Sequence, residues 1–128
     1  MIGYVTLGSN DLAKAVTFYD QLFAVIGAER FLETDSFVAW SKSPEQAGIS
    51  VTKPYNGKTA TVGNGTMVAL RMDSIEQVNS FYQKALELGA TDEGQPGFRE
   101  EMPGFYAAYF RDLDGNKLNA FYIDQNPS

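Results

Sequence analysis

The sequence predicts an α+β fold: two βαβββ modules whose strands form a curved mixed sheet around a cavity, with the helices outside. Three observations predict it. Two stretches share one helical spacing of apolar residues, the segments around them repeat each other, and three short strand-like runs follow each helix.

The first strand is read in GYVTLGSND (3–11) and its copy in TMVALRMDS (66–74), a shift of 63 residues. The first helix follows Ser9-Asn10-Asp11. Its apolar residues Leu12, Val16, Tyr19, Phe23 and Ile26 fall three or four apart, and it stops at Gly27. The second carries Ile75, Val78, Tyr82 and Ala85 at the same spacing. Asp73 and Glu76 are expected as its capping pair, and Gly89 ends it. TFYDQLFAVIGA (17–28) and SFYQKALELGA (80–90) align at Phe18/Phe81 and Tyr19/Tyr82.

Strand-like runs follow at about 28–34, 36–42 and 47–53 in the first half, and at about 90–95, 105–111 and 116–123 in the second. The turns fit: Ser43-Pro44-Glu45-Gln46 in one half, Asp112-Leu113-Asp114-Gly115-Asn116 in the other. The whole chain, 1–128, then reads as one domain, with module one at about 1–53, a polar glycine-rich linker at about 53–65, and module two at about 66–123. Two one-sided sheets with helices on one face leave a pocket between the halves.

Composition closes off much chemistry. There is no cysteine and no histidine, so thiolate nucleophiles, imidazole bases, catalytic triads and two-histidine metal sites are excluded. The formal charge is −6 and no Lys/Arg cluster occurs in the sequence, which argues against a nucleic-acid partner. No apolar run is long enough to span a bilayer, and MIGYVTLGSND lacks the marks of a secretory signal, so a cytoplasmic protein is expected.

The paired modules, FYDQLFAVIGA in the first and RDLDGNKLNAF closing the second, resemble the vicinal oxygen chelate superfamily. That group holds glyoxalase I, bleomycin resistance proteins and extradiol dioxygenases, and the resemblance covers essentially the whole chain. It implies one divalent metal held from the first and last strand of each module by His, Glu or Gln. Carried over by the repeat, those positions are Tyr4, Ser50, Met67 and Asn119. A phenol, a hydroxyl, a thioether and a neutral amide make a poor ligand set, so no metal and no cofactor are expected.

Strand alternation sets Leu118, Ala120 and Tyr122 on one face and Lys117, Asn119, Phe121 and Ile123 on the other. If the first set packs on the helices, Asn119 and Phe121 line the cavity. Asn119 then either bonds a ligand or satisfies a neighbour within the sheet. Tyr4, Ser50 and Arg99 are further candidate anchors, Met67 and Trp40 candidate walls, and Tyr106 and Tyr109 could each stack a planar ligand or pack the core. Glu100 and Glu101, in the loop before FYAAYF, are the candidate general bases, with a solvated loop the plainer expectation.

These readings favour a metal-free small-molecule binding protein that sequesters a ligand in the inter-module cavity, as the bleomycin resistance branch implies. The alternative is a glyoxalase-like lyase, isomerase or dioxygenase with a non-standard site. A third is a domain that serves only association. The resemblance also implies a homodimer, with cavities formed between modules of two chains.

Overall fold

The computed structural model describes residues 1–125. In module one, strand β1 (Tyr4–Gly8) leads to helix α1 (Leu12–Ala24), followed by β2 (Glu29–Glu33), β3 (Phe37–Ser41) and β4 (Gly48–Thr52). Module two repeats the order with β5 (Val68–Arg71), α2 (Ile75–Glu87), β6 (Thr91–Arg99), β7 (Met102–Arg111) and β8 (Lys117–Ile123). Among the described residues, no helix is long and apolar enough to cross a membrane.

The helix signals act as local chemistry dictates. Asp11 caps α1 by accepting from the Lys14 N–H, and Gly27 supplies the positive φ of 73° that turns the chain back. The α2 cap lies one residue later than the sequence suggests. Ser74 accepts from the Gln77 N–H, while the Gln77 side chain accepts from the Asp73 N–H, leaving Glu76 outside the pair.

Each module has its own four-stranded sheet, ordered β1-β4-β3-β2 and β5-β8-β7-β6. First and last strands pair in parallel, and the remaining pairs are antiparallel. The expected single curved sheet is therefore two sheets, for among the described residues no strand of one hydrogen-bonds to the other. A cleft of about 340 Å³ lies between β5 and module one, lined by Val5, Phe23, Trp40 and Ile49 on the module-one side.

The modules are joined by their helices, by one turn and by the exposed Lys42–Asp73 ion pair. Phe23 of α1 and Phe81 of α2 stack at 6.3 Å, and both belong to a core that takes the inner face of each sheet. The Asp112–Asn116 turn clasps module one at three points. Asp112 accepts from the Tyr19 hydroxyl at 2.6 Å, Asp114 accepts from the Asn10 N–H, and Asn116 donates to the Gly8 carbonyl. Each helix covers one face of its sheet. Among the described residues no further helix or strand packs on the other face of each sheet, and large apolar side chains such as Tyr4, Phe31 and Met67 are exposed.

Candidate functional site

The faces of β8 divide as the alternation predicts. Leu118 and Ala120 are fully buried in the core with α2, so Lys117, Asn119, Phe121 and Ile123 belong to the open face of the second sheet. The register sets Asn119 between Ala69 of β5 and Tyr109 of β7, and Phe121 between Arg71 and Ala107.

Asn119 is 1% exposed, and its Oδ1 is a buried acceptor without a hydrogen-bond partner. Such a group costs about 1–3 kcal/mol when left unpaired. The repeat supplies an internal comparison. Ser50, at the equivalent place on β4, pairs in register with Thr6, and their hydroxyl oxygens lie 2.7 Å apart. Module two has Ala69 where module one has Thr6, so the acceptor of Asn119 is stranded.

The other anchors sort by face. Arg99 folds back over the open face. Its guanidinium lies 5.2 Å from the Tyr109 ring centre and donates to the carbonyls of Gly97 and Gln95. Lys117 approaches the same ring at 5.5 Å. Glycine at 94 permits this arrangement, because a Cβ there would meet Tyr109 at 3.0 Å and Arg99 at 3.3 Å. Tyr4 lies on the open face of the first sheet, one pleat from the Thr6–Ser50 pair, and Met67 precedes β5. Tyr4 and Met67 are thus each two residues from the first-strand partner of Ser50 and Asn119.

Trp40 and Tyr106 do not join the open faces. Trp40 is 2% exposed, packs against Tyr19 and Phe23, and donates its indole N–H to Asp20. It pairs with Ile49, and Ala39 pairs with Ser50, so Trp40 points to the helix side. Tyr106 pairs with Tyr122 and donates to Asn79 of α2. Glu100 and Glu101 occupy the tight turn between β6 and β7, both exposed; β6 extends through Arg99, so the expected loop shrinks to that turn. The alternation of β8 places Lys117 on the Asn119 face, as the sequence suggests, whereas the sequence leaves Tyr109 between ligand stacking and core packing; its register opposite Asn119 puts it on the open face.

The model of the Glyoxalase/Bleomycin resistance protein/Dioxygenase superfamily matches residues 1–120. The chain belongs to this superfamily. A glyoxalase/bleomycin resistance protein from Albidiferax ferrireducens T118 is similar at 35% identity and a TM-score of 0.87, covering 97% of this chain and 99% of that one. Two more distant structures share the superfamily fold. A lactoylglutathione lyase from Agrobacterium tumefaciens is 20% identical with a TM-score of 0.69, over 95% and 92% of the chains. A fosfomycin resistance protein from Listeria monocytogenes is 18% identical with a TM-score of 0.70, over 98% and 94%. A search of curated proteins finds no match.

The divalent metal that the superfamily resemblance implies does not fit the residues here. Of the four carried-over positions, Ser50 is already bonded to Thr6, Met67 offers a soft thioether, and Tyr4 and Asn119 offer neutral oxygens. Among the described residues, no three Asp or Glu side chains come together, and the chain has no His or Cys.

Proposed function

We propose that this superfamily member is a small-molecule binding protein that holds its ligand on the open face around Asn119 and sequesters it without turnover. One observation carries the reading. A buried acceptor, Asn119 Oδ1, is left without a partner on a sheet face rimmed by Tyr109, Phe121, Arg99 and Lys117. Among the described residues, the candidate bases Glu100 and Glu101 are exposed at a hairpin tip, and Glu93 on β6 is held by Arg111.

A second copy of the chain completes the site in this reading. The open faces expose Tyr4, Phe31 and Leu32 in module one and Met67 and Ile123 in module two. Apposing two such faces buries apolar surface worth roughly 25 cal/mol per Å² and encloses the Asn119 region.

A thermal-shift screen of small molecules tests this. A compound that raises Tm, loses its effect in Asn119→Leu, and is recovered chemically unchanged after long incubation supports sequestration. Conversion of such a compound into a new product would overturn it. Sedimentation equilibrium should find a dimer.

A further inference from the structure

We infer that the open face of the second sheet takes a small organic anion that also carries an O–H or N–H donor. The inference rests on the reading of that face as a ligand site and specifies its chemistry.

The chain is acidic overall, with ten basic residues against sixteen acidic ones, yet most of the cations without an ion pair share one sheet face. Lys14, Arg30, Lys42, Lys84 and Arg111 are ion-paired with carboxylates. Of the other five, Arg71, Arg99 and Lys117 all stand at open-face positions of the second sheet. Glu93, on β6, is engaged by Arg111.

Arg99 and Lys117 each bring a cation to the Tyr109 ring, at 5.2 and 5.5 Å from its centre. Like charges at one ring repel, and an anion bound beside either of them relieves that repulsion. Arg99 is held by two backbone carbonyls, which occupy two of its five N–H donors and fix the plane of the rest. A side chain ordered before binding loses little entropy when it grips a carboxylate or phosphonate.

Directly across the strand from Tyr109, the Oδ1 of Asn119 lacks a donor. The ligand therefore presents an acid group to Arg99 and Lys117 and a hydroxyl or N–H to Asn119. Its apolar body meets Phe121, which stacks on Phe105 at 5.5 Å. Two recognition elements of opposite hydrogen-bonding sense, cationic donors and one neutral acceptor, reject a molecule that lacks either.

The test is an NMR titration of the full chain with para-hydroxybenzoate, which has a carboxylate at one end and a donor at the other. Benzoate lacks the donor, and para-hydroxybenzyl alcohol lacks the charge. Para-hydroxybenzoate should bind most tightly, and its affinity should fall with rising salt. Arg99→Gln and Lys117→Gln should each weaken it about tenfold, the worth of one charge-assisted hydrogen bond, with Tm close to wild type. Asn119→Leu should abolish the preference for para-hydroxybenzoate over benzoate. Equal binding of the acid and the alcohol, still dependent on Asn119, overturns the anionic class and leaves the ligand site standing. Failure of all three probes to bind also overturns the class. Binding indifferent to Asn119→Leu overturns both the class and the site.

Discussion

Asn119 stands opposite Ala69, whereas its repeat counterpart Ser50 stands opposite Thr6 with 2.7 Å between the two hydroxyl oxygens. The same position in the same module type is closed in one half and open in the other. Replacing Ala69 by Ser should supply the missing donor to Asn119 Oδ1. The variant should be more stable by about 0.5–1.5 kcal/mol in urea unfolding, the net worth of an ordinary hydrogen bond, and should bind ligands more weakly. A loss of stability would mean that Asn119 is already satisfied.

The junction between modules hangs on Tyr19 and Asp112. Burial, and then the Asp112 carboxylate, raise the Tyr19 hydroxyl well above its ordinary pKa. The folded state therefore holds this proton more tightly than the unfolded chain does. The resulting stability is whole below about pH 10 and is lost as the pH rises beyond it. Tyr19→Phe should lower stability at neutral pH by about 1–3 kcal/mol, because Asp112 loses one buried donor. It should also flatten the alkaline decline relative to wild type, read from Tm against pH.

Trp40 reports on the acid side. Asp20 lies below the ordinary carboxylate range, chiefly through its bond from Arg30, with the Trp40 indole N–H adding to the effect. A lowered carboxylate stabilises the fold above about pH 4 and ceases to do so as the pH falls through its folded value. Trp40 is the only tryptophan, so its emission should shift over that fall, and Asp20→Asn should remove the shift.

The repeat, both helices and the β8 faces could be read from the sequence because each is written in local periodicity. Leu118 and Ala120 against Asn119 and Phe121 is a two-residue pattern needing no distant partner. Trp40 was harder. The β3–β4 connection holds six residues (42–47) and the β7–β8 connection five (112–116), so the shift that aligns Ser50 with Asn119 misplaces Trp40 by one. One residue is one face: Trp40 corresponds to buried Phe110, and Ala39 to Tyr109. The stranded acceptor of Asn119 depends on the parallel pairing of β5 with β8, across nearly the whole module, which local pattern does not encode.

Glu100 and Glu101 show the same limit from the other side. Their concentration of charge is visible in the sequence, but the length of the β6–β7 hairpin, which carries them to its tip, is a property of the paired strands. Arg99 leaves them by folding back onto Tyr109.

Calorimetric titration of a Tm-raising compound into the chelator-treated chain tests metal-free binding at Asn119 most directly. Binding should be unchanged by chelation and strongly weakened in Asn119→Leu. Binding that disappears on chelation and returns with added Zn²⁺, Ni²⁺, Fe²⁺ or Mn²⁺ would contradict it.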